Sequence, residues 1–368
     1  MRISRATPLA EAPARMTAYR AALRAELERR VRDTWSAQAG VGMNLASMVY
    51  GLAHDGRDLL YDAGILHGRQ VSVPVISVGG LTAGGSGKTP VSASIAGWLL
   101  EGGCRPAMIT GGIPDEAQVQ KLLNPDVLVE DDRDRRAAVF RAMASGARSV
   151  VLDSAFQHRR IRSDLQLVCI DPMSASLTAR RRLPAGPFRE RWSSLARADA
   201  IVLAHRGDPG DPGLKALGDE VRRVAPGTLI VDCLLRTAGF RPANQLAEGN
   251  EPGAESAAVA GVMWPEPFFG AVAQLGLQPS ARLAFRDHEP FGPVELGRIR
   301  ECGPGGVVCT LKDAVKLGPL LAADLPVWYV EEQPAWGAGK RRLRNGILRT
   351  AGCRIGSPER REHPGEQQ

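Results

Sequence analysis

The stretch VPVISVGGLTAGGSGKTP, residues 73–90, decides the fold. An apolar, β-branched run passes through glycines into Gly-Lys-Thr and then into helix-forming sequence. That order is what a phosphate-binding loop needs. Backbone N–H groups must wrap a phosphate at a helix N-terminus, and glycine permits the dihedral angles and the close approach. Lys88 would reach the β- and γ-phosphates of a nucleotide, and Thr89 would offer its hydroxyl to Mg²⁺. Thr82 takes the first glycine slot of GxxxxGK[ST], and Gly84, Gly85, Ser86 and Gly87 complete the loop.

Outward from this loop, short apolar runs alternate with helix-length segments: RPAMIT, DVLVE, RSVVLD, LQLVCID, ADAIVLAH and TLIVDC. Continuous runs of this kind belong to a parallel sheet covered on both faces, so a P-loop NTPase-like, doubly wound α/β fold is expected. Residues 234–256 turn polar and rich in Gly and Pro, and a second set of runs follows: SAAVAGVM, RLAFRD, GGVVCT and PVWYV. The expected organisation is a helical extension over 1–40, a P-loop core over 41–240, a smaller α/β unit over 257–350 and a disordered tail over 355–368. Residues 41–66 place Met43, Leu45, Met48, Val49, Leu52, Leu59, Leu60, Ile65 and Leu66 among sparse charges. One or two amphipathic helices are expected there, docked on their own domain or turned to a membrane surface.

The chain has 368 residues with 47 Lys and Arg against 40 Asp and Glu, a formal charge of +7 that favours anionic partners. Its 44% apolar content supports a sizeable core and excludes disorder for most of the length. Aromatic residues make up only 5%, which argues against a base-stacking nucleic-acid surface. The six cysteines form no CxxC pair and no His stands at metal spacing beside them, so neither a disulfide framework nor a zinc site is indicated. The N-terminus lacks the apolar region of a secretory signal, and no apolar run is long enough to span a bilayer. A reducing, cytoplasmic environment is expected.

A nucleotide loop leaves the reaction open. GTPases should carry DxxG and NKxD, but Asp153-Ser154-Ala155-Phe156 has no glycine in the fourth place, and the lysine of TLKD at 310–313 is one slot out. Four collinear stretches instead resemble the tetraacyldisaccharide 4′-kinase family, which phosphorylates the lipid A precursor. The first is MVYGLAHDGRDLLYDAGIL with the P-loop, whose family form GNLTxGGTGKTP also has Thr in the first slot. The second is VVLDSAFQHRRIRSDLQLVCID, and the third is RRLPAGPFRERWSSLARADAIVL. The fourth comprises AVAGVMWPEPFFGAVAQLG, AFRDHEPF and VVCTLKDAVKL. Together they cover about residues 41–330.

The resemblance implies an ATP- and Mg²⁺-dependent kinase acting on an acylated disaccharide 1-phosphate at the inner face of the cytoplasmic membrane, with no nucleic-acid partner. It places Asp153 as the carboxylate that helps Thr89 hold Mg²⁺. Asp115 becomes the general base, held by His288 of FRDHEPF. His158 is placed near the site. Arg159 and Arg189, in dense basic stretches, would meet the substrate's phosphate or a bilayer surface. The chain also departs from the family pattern. Ser154 replaces the second Asp of a DD pair, and a long basic stretch is shortened to TGGIPDEA. Leu311 changes TEKD to TLKD, and Met263-Trp264 replace Gly-Asn in GIGNP. These departures leave a second reading in play, a relative that binds nucleotide without catalysing or acts on another acceptor.

Overall fold

The computed structural model describes residues 41–172, 180–207, 210–249 and 251–353. The expectations for 1–40 and 355–368 lie outside the described residues. The first helix, α1 (Val41–Asp62), precedes β1 (Val75–Gly80), every residue of which is buried. The P-loop follows, then α2 (Lys88–Glu101), β2 (Pro106–Thr110), α3 (Pro114–Leu123), β3 (Leu128–Asp131), α4 (Arg135–Ala144) and β4 (Ser149–Leu152). β5 (Leu165–Ile170), β6 (Ala200–His205), α5 (Pro212–Val224) and β7 (Leu229–Pro242) complete the first half. The second half contains β8 (Ser256–Ala260), α6 (Glu266–Gln274), β9 (Arg282–Ala284), α7 (Pro293–Cys302), β10 (Gly306–Cys309) and α8 (Leu311–Leu320). β11 (Val327–Trp336) and α9 (Lys340–Thr350) close the chain.

These strands form one sheet in the order β3-β2-β4-β1-β5-β6-β7-β11-β10-β8-β9. Every pair is parallel except β7 with β11, which run antiparallel with a bulge between Glu331 and Glu332. The expected doubly wound, mostly parallel fold is therefore present. The strand expected over TLIVDC runs on through residues 234–242, the first part of the stretch expected to be a polar linker. Its burial alternates, with Val231, Cys233 and Leu235 turned inward, and its polar outer side chains disguise it in the sequence. The last helix returns to the first half, where Leu343 and Ile347 share a core cluster with Ile76, Val91, Ile95 and Leu99.

That return overturns the expectation of no disulfide. Cys104, just past α2, is bonded to Cys353, just past α9, across 249 residues of sequence. A separation of that size leaves no spacing signal, and only the packing of α9 on α2 brings the two thiols together.

α1 is one continuous helix with two distinct faces. Its polar face docks on the 159–197 region: Arg182 reaches Asp55 at 2.7 Å, Arg159 reaches Asp62 at 2.6 Å and Arg197 reaches Asp58 at 3.3 Å. Gly51 lets the Arg182 guanidinium lie close on the helix, since a Cβ there would fall 2.2 Å from it. Burial opposes ionisation of Asp58, but hydrogen bonds from His54 and Arg57 and the nearby Arg197 hold its carboxyl well below the usual range. The opposite face leaves Leu45, Met48, Val49, Leu52 and Leu59 each 60–67% exposed. No helix among the described residues is long and apolar enough to cross a membrane.

Candidate active site

The P-loop leaves β1 at Gly79 and Gly80 and turns through Gly84, Gly85 and Gly87, whose φ angles of 69°, 68° and 71° lie in the left-handed region. No side chain caps the α2 N-terminus, which leaves its backbone N–H groups directed at the loop. Lys88 opens α2 and donates from Nζ to Ser86 Oγ at 2.8 Å. Its pKa is pushed down to about 8, first by burial and then by the neighbouring cations Arg189 and Lys312. Arg189 is carried there because its N–H donates to the Leu81 carbonyl at 2.7 Å and the Ala83 N–H donates to the Pro187 carbonyl at 2.9 Å. Three cations crowded at a helix N-terminus form a site that a polyphosphate would neutralise.

Asp153 stands just past β4, the strand beside β1, and is fully buried. Gln120 of α3 donates to its Oδ2 at 2.7 Å, and Arg135 donates to its main-chain oxygen at 2.8 Å. The Ser154 hydroxyl lies 3.4 Å from Asp153 Oδ1, with Ser154 itself at φ 53°. A buried carboxylate and the Thr89 hydroxyl at the first turn of α2 are hard oxygen donors, a set that fits Mg²⁺.

Asp115 sits in the first turn of α3. The shortened loop before it is a tight turn in which Asp131 Oδ1 accepts from Thr110 Oγ1 at 2.6 Å, Gly112 N at 2.6 Å and Ile113 N at 3.2 Å. His288 Nδ1 lies 2.8 Å from Asp115 Oδ2. A carboxylate only accepts, so Nδ1 carries the proton. Lys316 Nζ stands 3.6 Å from the same oxygen. Burial works against ionising Asp115, yet the His288 bond and the ammonium groups of Lys316 and Lys312 outweigh it and hold the carboxyl below its ordinary value. The Asp115 hydrogen bond in turn raises the pKa of His288, although partial burial and Lys312 oppose it.

The structure thus gathers Lys88, Arg189, Asp153, Asp115 and His288 around one loop. Other expected residues lie to the side. His158 is half-buried near Arg135, and desolvation followed by the Arg135 and Arg160 charges lowers its pKa to about 4. Arg159 turns to α1, bonding Asp62 and lying 4.8 Å over the Tyr61 ring. The sequence reading did not single out Arg135, Gln120, Glu116 or Lys316 as site residues. Arg135 hides in the charged run DDRDRR. Lys316 lies one helical turn after Lys312, and that spacing on a common face was the available signal. Lys312 reaches Glu116 at 3.5 Å and so joins the two halves beside the dyad.

Comparison with known proteins decides the family. The family model for tetraacyldisaccharide-1-P 4′-kinase matches residues 41–350. The chain belongs to that kinase family. A tetraacyldisaccharide 4′-kinase of Geobacter metallireducens is 33% identical over 75% of this chain and 88% of its own length. One from Halorhodospira halophila is 32% identical over 84% of this chain and 93% of its own. The fold matches a crystal structure of the kinase from Aquifex aeolicus in complex with ATP, at a TM-score of 0.64 and 23% identity, covering 84% of this chain and 99% of that one. As a member of this kinase family, the chain is a phosphotransferase that acts at the 4′ position of a tetraacyldisaccharide.

Proposed function

We propose that this kinase transfers the γ-phosphoryl group of ATP to the 4′-hydroxyl of a tetraacyl glucosamine disaccharide 1-phosphate at the cytoplasmic face of the inner membrane. The observation that carries this reading is the Asp115–His288 pair, formed across the two halves on the cation-lined side of the P-loop. In it, Asp115 accepts the hydroxyl proton as the sugar oxygen bonds to the γ-phosphorus and the bond to the β–γ bridging oxygen breaks, releasing ADP. His288 holds the carboxylate in place. Lys88, Arg189 and Lys312 offset the charge that develops on the phosphoryl oxygens. Thr89 and Asp153 would hold Mg²⁺, which would neutralise phosphate charge in this reading. The exposed apolar stripe of α1 supports peripheral contact with the bilayer that holds the acyl chains.

The test is transfer of labelled γ-phosphate from ATP to the acylated disaccharide 1-phosphate in mixed micelles, comparing the native enzyme with Lys88→Ala and Asp115→Ala. Product that depends on both side chains is expected. ATP binding without product would overturn the reading in favour of a non-catalytic relative or a different acceptor.

A further inference from the structure

Met263 and Trp264, where the family pattern has Gly-Asn, follow β8 and lie against the P-loop from the second half. A Cβ at Gly85 would fall 2.6 Å from Trp264 Cδ1 and 3.4 Å from its Nε1, and one at Gly84 would fall 2.6 Å from Met263 Cβ. The pyrrole edge of the indole therefore faces the stretch of loop whose N–H groups wrap phosphate. Trp264 Nε1 is buried and has no hydrogen-bond partner. An indole N–H can only donate, and native proteins rarely leave a buried donor unpaired. The nearby cations Lys88, Arg189 and Lys312 would draw an anionic acceptor to this place. We infer that Trp264 is a nucleotide-binding residue whose indole N–H donates to an oxygen of the terminal phosphates of ATP. Its ring packs over Gly85 and shields the loop from solvent.

The inference rests on ATP being the nucleotide, so the experiment separates the two. The ¹H–¹⁵N indole resonance missing from the Trp264→Phe spectrum identifies Trp264. That resonance should move downfield with the Mg²⁺ complex of a non-hydrolysable ATP analogue and stay in place with AMP. Trp264→Phe should weaken ATP binding by about tenfold, as expected for loss of a bond to a charged acceptor. Trp264→His, which keeps a ring N–H, should recover part of that loss. An unmoved resonance with the analogue shown to be bound by equilibrium dialysis overturns the role of Trp264 alone. So does Trp264→Phe binding ATP as tightly as the native enzyme. Failure of the native enzyme to bind the analogue at all overturns the ATP reading, and this inference falls with it.

Discussion

Asp115→Asn and His288→Gln, singly and together, test the proposed base most directly. Asp115 is buried and its Oδ2 lies 2.8 Å from His288 Nδ1 and 3.6 Å from Lys316 Nζ. An asparagine at 115 keeps the shape and can still accept from His288, but it cannot take a proton. The loss is then the general-base contribution, about 10²–10⁴ in kcat. His288→Gln leaves the base in place and removes a charge-assisted bond worth about 1.5–3 kcal/mol. The His288 side chain is 32% exposed, so solvent screens part of that energy and the lower half of the range applies. About 1.5–2 kcal/mol corresponds to a loss of roughly 10–30-fold. The double variant should be no slower than Asp115→Asn, because orientation of a base that is already gone has no further effect. The assay is steady-state transfer with ATP varied. KM for ATP should hold in each variant, since neither side chain belongs to the P-loop. Losses that multiply in the double variant, or Asp115→Asn retaining a tenth or more of native turnover, would refute the assignment.

Ser154→Asp restores the second carboxylate at a left-handed position that Asp tolerates, and it should lower the Mg²⁺ concentration for half-maximal activity several-fold in a metal titration. Cys353→Ser opens a loop closed across 249 residues; chain entropy sets an upper limit of about 5 kcal/mol on the lost stability, measured by urea unfolding with and without reductant. Replacing Leu45 and Leu52 with Glu on the exposed face of α1 should release the protein from anionic vesicles in a sedimentation assay, each substitution forfeiting about 1–2 kcal/mol of apolar burial, while activity on micellar substrate persists. The Asp115–His288 pair should also make thermal stability depend on pH. The lowered Asp115 value means its contribution is present above about pH 3.8 and lost as pH falls through the folded value, and the raised His288 value means its share is complete below about pH 6.5 and lost as pH rises through its folded value. Tm should fall on both sides of that window, and His288→Gln should flatten the alkaline side.

The P-loop was legible because its chemistry is local: glycines at fixed offsets, a strand before them and a helix after. Asp153 was legible for the same reason, as the polar residue that ends an apolar run. The Asp115–His288 pair spans 173 positions, and no periodicity in one sequence reaches that far, so it was available only through the family resemblance. Arg135, Gln120 and Lys316 show the limit from the other side. Each sits in a stretch whose charges also suit a solvated helix, and tertiary packing alone turns them toward Asp153 or Asp115. The polar outer face of β7 concealed the second half of that strand in the same way, because its partner β11 lies about ninety residues further along the chain.

Two departures from the family pattern change the charge near the site. Shortening the loop before Asp115 removes basic side chains from the phosphate side of the site, and replacing the second Asp of the DD pair with Ser154 removes a negative one. The structure keeps the groups that the remaining chemistry requires. Asp131 closes the shortened loop with three hydrogen bonds, which fixes the start of α3 and thereby Asp115. Arg135 donates to the main-chain oxygen of Asp153 and is half-buried there near Glu116 and Arg189. Lys312 and Lys316 approach from the second half through Glu116 and Asp115. A relative freed from catalysis would have no reason to hold a buried carboxylate ionised against its desolvation cost with a histidine hydrogen bond and two nearby ammonium groups. That arrangement at Asp115, at the end of a loop fixed by Asp131, favours a working phosphotransferase over a nucleotide-binding remnant.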